Sequence, residues 1–129
     1  MLDHAHGRLI EELSIPRRTI FVTAGPAGLL ASDHPCEAVG LDLYLLLPKT
    51  SDHLFNLEHD PCVTLLTARW ELKGKARPIS PASLDHELSL LKEPGAEWCC
   101  LVLVKPYHIQ ISRETGWGYL ETIDLESHK

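Results

Sequence analysis

A chain of 129 residues is sized for one domain, and an apolar fraction of 44% is that of a globular rather than a disordered protein. A formal charge of −6 argues against non-specific nucleic-acid binding and against a surface for anionic lipid, so neither nucleic acid nor membrane is an expected partner. No apolar run nears the length of a membrane span and the polar start MLDHAHGRLIEEL is unlike a signal peptide; a cytoplasmic protein with Cys36, Cys62, Cys99 and Cys100 reduced is the expectation.

Ala5, Leu9 and Leu13 recur four apart, with Ile10 widening the stripe, which predicts an amphipathic helix over residues 2–14 ended by Ile15-Pro16. Residues 19–24 (TIFVTA) have strand composition. Gly25-Pro26-Ala27-Gly28 is a turn in which Gly28 can take a positive φ. A second strand starts at residues 29–32, is bent or interrupted by Asp33-His34-Pro35, and continues over 36–39. Residues 41–47 (LDLYLLL) are apolar at nearly every position, as in a strand buried on both faces, and Pro48 stops the run for want of an N–H. Thr50 and Ser51 offer hydroxyls at the N-cap of a short helix, with Asp52 in its first turn. Leu54 and Leu57 share the face that packs on the sheet, and Pro61 keeps the helix from running far past Glu58. Residues 63–68 (VTLLTA) resume the strand composition.

Beyond Trp70-Glu71, Leu72-Lys73-Gly74-Lys75 reads as a short connection and 75–79 as the next strand. Ser80-Pro81 reads as a helix start, with Leu84, Leu88 and Leu91 at i, i+4 and i+7 and a stop at Glu93-Pro94-Gly95. Residues 98–104 (WCCLVLV) form a buried strand broken by Pro106, and 107–112 (YHIQIS) alternate with one face wet. A turn over 113–118 and a last strand over 119–125 complete the chain. Seven or eight short strands in close succession, with three helices, point to an antiparallel barrel rather than a parallel α/β sheet.

The short helix after Pro48 carries Lys49, Thr50, Ser51 and His53 at its start. Free N–H groups, the helix dipole, two hydroxyls and positive charge make either an anion site or an ordinary capped helix. His34 and Cys36 have the look of a zinc-deaminase fragment, but H-x-E and P-C-x-x-C are missing, and adjacent Cys99 and Cys100 point to opposite faces; no metal site is read. Cys62, Cys99 and Cys100 read as buried and inert, and no G-x-S-x-G, phosphate-loop or dinucleotide fingerprint is present. Trp70 sits at a strand end, where its ring can edge a flat cofactor or pack on a neighbour. No side chain stands out as a catalytic acid or base.

Leu43-Tyr44-Leu45-Leu46-Leu47, Thr50-Ser51, His53, Asn56-Leu57 and Asp60-Pro61 form a pattern of apolar strand, hydroxyl turn, basic residue, Asn-Leu and a Pro opening the next strand. This pattern resembles the pyridoxamine-5′-phosphate-oxidase-like family of FMN-binding split barrels. The likeness extends to residues 19–28, to Gly74-Lys75-Ala76-Arg77 and to Val104-Lys105-Pro106 with the strand after it. It implies a single domain over 1–129, with an N-terminal helix at 1–15 and a split barrel at 17–125, mainly β with a few helices and homodimeric. FMN would lie between subunits, with Lys49, Thr50, Ser51 and His53 at its phosphate and Ala31 and Ser32 facing the ring. Thr67 and Trp70, at the end of the strand after the helix, are the further cofactor-binding residues it implies. The implied activity is a flavin-dependent oxidoreductase acting on a small molecule. His53 departs from the Lys or Arg common in the flavin binders and is similar to a haem-binding, haem-degrading branch. The alternative is therefore a barrel that holds haem or no cofactor.

Overall fold

The computed structural model describes residues 2–112 and 119–125. It opens with helix α1 (Leu2–Ser14), as the apolar spacing predicts, and Leu9 and Leu13 bury against the barrel core. Strands β1 (Arg18–Thr23), β2 (Leu30–Val39), β3 (Asp42–Pro48), β4 (Cys62–Leu66), β5 (Trp70–Ile79) and β6 (Cys99–Ser112) follow, with helix α2 (Asp52–His59) between β3 and β4. All pair antiparallel in the ring β1-β2-β3-β6-β5-β4, which β4 closes onto β1. Strand β7 (Tyr119–Asp124) adds to β6 outside the ring. The expected turn over 113–118 lies outside the described residues.

The two-faced burial of β3 has a simple cause. Leu43, Leu45 and Leu47 join the barrel core with Phe21, Leu65, Leu72, Val102 and Val104. Tyr44 and Leu46, on the other face, form a second cluster with Leu88, Leu90, Leu101 and Leu103. Residues 80–98 thus cover the outer face of β3 and β6. Adjacent Cys99 and Cys100 divide as expected, one toward each cluster.

Five expectations are corrected. The predicted helix after Ser80 is instead three short 3-10 turns, Pro81–Ser83, Ser89–Lys92 and Ala96–Trp98. Ser80 does cap the first, accepting from the Ala82 N–H at 3.2 Å, but Leu88 and Leu90 lie on a sheet face rather than along a helix stripe. Strand β2 runs unbroken through Asp33-His34-Pro35. Pro35 ends the pairing with β1 and Cys36 begins that with β3, so its missing N–H falls at the handover. Strand β6 likewise runs through Pro106, which sits between the pairing with β3, ending at Val104, and that with β7, starting at His108. Opposite Pro106, Lys73-Gly74 lies within β5 and not in a connection, facing a bulge whose extra residue is Tyr107 of β6. A Cβ at Gly74 would lie 2.6 Å from the Lys105 carbonyl oxygen, so only glycine admits this close approach.

The fifth correction concerns Cys62, which is exposed rather than buried. It opens β4 just past α2, its N–H held by the Asp60 carboxylate at 3.0 Å. Among the described residues, no helix is long and apolar enough to cross a membrane.

Candidate functional site

The barrel splits beside α2. Residues 30–35 of β2 pair only with β1, while Leu46, Leu47 and Pro48 of β3 pair only with β6. The start of α2 enters this opening. Its N-cap is Ser51, as the sequence predicts, whose Oγ accepts from the His53 N–H at 3.2 Å. Asp52 lies in the first turn, and the helix ends at His59 before Pro61. Leu54 and Leu57 pack on the barrel core. Lys49 and Thr50 are exposed at the head of the helix and Ser51 is half-buried.

His53 points the other way, into the barrel end, and is 3% exposed. Its Nδ1 lies 2.7 Å from Thr23 Oγ1 and its Nε2 lies 2.8 Å from Ser32 Oγ. Ser32 Oγ in turn lies 2.6 Å from Nε2 of buried His34. The two imidazoles stand edge to face, centroids 5.5 Å apart, and Phe21 packs on His53 at 4.9 Å. Period two explains the grouping: Ser32 and His34 share a face of β2, opposite Phe21 and Thr19 of β1.

Asn56, fully buried one turn beyond His53, ties this cluster to the β1–β2 turn. Its Oδ1 accepts from the Ala27 N–H at 2.9 Å, and its Nδ2 donates to the Gly28 carbonyl and to Thr23 Oγ1, both at 3.0 Å. Gly28 has the expected positive φ, 98°.

Burial lowers the pKa of His34, Asp33 opposing and Arg18 adding to the shift. Burial also lowers that of His53, aided by neighbouring His34 and opposed by Asp52. Both rings are therefore neutral at pH 7, available to pass or accept a hydrogen bond but not to hold a fixed positive charge. The Cys36 thiol, two residues from His34, is pushed up to about 12 by burial and donates to the Pro16 carbonyl, away from the histidines.

The structure thus brings His53 and Ser32 into contact and sets Lys49, Thr50 and Ser51 at the head of the same helix, with exposed Ala31 next to Ser32. It sets Thr67 and Trp70 apart, in the β4–β5 turn. Thr67 Oγ1 accepts from the N–H groups of Arg69 and Trp70 there, and its side chain borders an open cavity of about 340 Å³ with Arg18, Asp33 and Arg69. Trp70 is wholly buried under α1, its Nε1 donating to the Glu12 carbonyl at 3.1 Å. Sequence reasoning missed Thr23, His34 and Asn56 as parts of one cluster. The available signal was the spacing of Ser32 and His34 on a strand, which puts them on one face.

No protein-family model and no curated protein matches this sequence. Solved structures do match in shape. General stress protein 26 from Bacillus anthracis superposes with a TM-score of 0.67 at 18% identity, over 96% of this chain and 98% of the other. A candidate pyridoxamine 5′-phosphate oxidase from Listeria innocua gives 0.64 at 17% identity, over 86% and 98%. HutZ, a haem storage protein from Vibrio cholerae, gives 0.54 at 15%, over 78% and 88%. The six-stranded antiparallel ring opened beside α2 is the split-barrel fold that this chain shares with general stress protein 26 and the pyridoxamine 5′-phosphate oxidase-like proteins.

Proposed function

We propose that this chain binds FMN and works as a flavin-dependent oxidoreductase on a small molecule, as a single-domain cytoplasmic homodimer with the flavin between subunits. The observation that carries the reading is the head of α2. Exposed Lys49 and Thr50 and the Ser51 cap meet a helix N-terminus at the split of a barrel shaped like those of the oxidase-like proteins. These residues suit a phosphate: one cation, two hydroxyls and helix N–H groups. Ala31 and Ser32, on the unpaired edge of β2, are placed to face a ring. FMN, when bound, supplies the redox chemistry; the protein supplies position and electrostatics.

A second reading, a barrel holding haem or no cofactor, is favoured by His53. Both its ring nitrogens are engaged by Thr23 and Ser32, so the side chain expected to add charge at the phosphate is spent inside the barrel. The shape match to a haem storage protein goes with this reading.

The absorption spectrum of the purified protein, with and without added FMN, separates the two. Twin flavin bands that survive gel filtration and weaken in Ser51→Ala are the expected result. A Soret band, or a spectrum FMN cannot change, overturns the flavin reading.

A further inference from the structure

The polar side chains beneath α2 form a chain whose hydrogen positions follow from one fixed end. The Asn56 amide cannot be flipped. The Ala27 N–H can only donate, so the atom 2.9 Å from it is the oxygen; the Gly28 carbonyl can only accept, so the atom 3.0 Å from it is the nitrogen. The second N–H of that nitrogen goes to Thr23 Oγ1. Thr23 is 1% exposed, and its own hydrogen has His53 Nδ1, at 2.7 Å, as its acceptor. The opposite arrangement, Nδ1–H donating to Thr23, strands a buried hydroxyl hydrogen with the full desolvation penalty. Thr23 therefore donates, and neutral His53 carries its proton on Nε2, which donates to Ser32 Oγ at 2.8 Å. In the next contact, 2.6 Å to His34 Nε2, Ser32 Oγ already accepts from His53, and its own hydrogen has that second ring nitrogen as its acceptor. Ser32 donates to His34.

We propose that Asn56, Thr23, His53, Ser32 and His34 are a one-way hydrogen-bond relay that leaves Ser32 Oγ, at an exposed position on the unpaired edge of β2, with one unused lone pair, so that Ser32 selects a ligand presenting an N–H donor there. Bonds aligned head to tail polarise one another, which strengthens each link. The lowered pKa values of His34 and His53 keep both rings in the neutral form the relay needs. The relay rests on the hydrogen-bond geometry with both rings neutral; the identity of the ligand rests on the flavin reading above. In an oxidised isoalloxazine the ring's N–H is the imide N3–H, and that is the group Ser32 is set to take.

Two measurements test this. Long-range proton–nitrogen NMR of the ligand-free protein near neutral pH reads the tautomers directly. His53 protonated on Nε2 and His34 on Nδ1 are expected, with His53 unchanged in Ser32→Ala. Nδ1-protonated His53 overturns the relay, and Nε2-protonated His34 overturns the free lone pair on Ser32. Titration with FMN and with its N3-methyl analogue reads the ligand half. The analogue is expected to bind about tenfold more weakly, the value of one hydrogen bond, and the difference to vanish in Ser32→Ala. Equal affinities in the unaltered protein overturn the selection by Ser32. If neither flavin binds, the flavin reading and the N3–H assignment both fall, while the tautomers still decide the relay.

Discussion

The amide oxygen of Asn56 occupies the space a side chain on Gly25 would need: a Cβ there would lie 2.7 Å from Oδ1 and 3.2 Å from the Asn56 Cα. Gly25→Ala is therefore expected to displace Asn56 and loosen its hold on Ala27, Gly28 and Thr23. A loss of about 1–3 kcal/mol in urea unfolding is expected, the usual range for overpacking a filled site. FMN affinity should fall with it, because Thr23 and His53 lose their anchor. An alanine variant as stable as the parent would show that the amide can move at no cost.

Stability should also depend on pH through the buried pair. Burial lowers the pKa of His34 and of His53 below the ordinary 6.5. In the unfolded chain both rings take protons near that value, and in the folded chain only at lower pH. Below about 6.5 the unfolded state therefore binds more protons and gains on the folded one. Their contribution is whole above that pH and is lost as pH falls through the folded values. The urea midpoint should drop on acidification from about pH 7.5 to about pH 5, and less steeply in His34→Gln. A midpoint that rises or stays flat over that range would contradict the assignment of both rings as neutral.

Trp70 separates a core role from a ligand role. Its indole is sealed beneath α1 and donates to the Glu12 carbonyl, while Arg69 holds the Glu12 carboxylate through two contacts of 3.2 Å. Trp70→Phe should cost about 1–2 kcal/mol through the stranded carbonyl and the smaller ring. FMN titration should be unaltered. A drop in FMN affinity at unchanged stability would put the ring at the ligand instead.

At the opposite Pro106, Gly74→Ala should cost about 1–3 kcal/mol, because its Cβ would meet the Lys105 carbonyl oxygen at 2.6 Å and Val104 Cγ1 at 2.9 Å. Thermal unfolding measures this, and an unshifted midpoint would mean that the bulge can relax.

The run from β3 through β4 is legible in the sequence because its signals are local. Five consecutive buried residues in β3, a hydroxyl cap at Ser51 and a proline at 61 each act within a few residues of themselves. The errors share a different origin. Whether Pro35 or Pro106 breaks a strand depends on whether a neighbouring strand needs its N–H, and that neighbour comes from elsewhere in the chain. The leucines of residues 84–91 have helix spacing yet serve a sheet face, since any apolar group within reach suffices to cover Tyr44 and Leu46. The site was half visible: Ser51 and His53 by their place at a helix start, Ser32 by resemblance. Thr23 and Asn56 are 33 residues apart, and only the folded barrel sets the Asn56 amide against Thr23 and Thr23 against the His53 imidazole.

The cover over β3 and β6 is fastened differently from the ring beneath it. Among the described residues its three short turns bond mostly within themselves, and two ties fasten them below: Glu37 Oε1 of β2 accepts from the Leu90 N–H at 2.8 Å, and the Trp98 carbonyl accepts from the Lys49 N–H at 3.1 Å. The ring strands, by contrast, are laced to neighbours on both sides. Amides of residues 81–98 can then trade hydrogen for deuterium by lifting away while the barrel stays closed. In that opened form Tyr44, Leu46, Leu101 and Leu103 meet water together, so this flap is where a sticky, partly unfolded species would first arise.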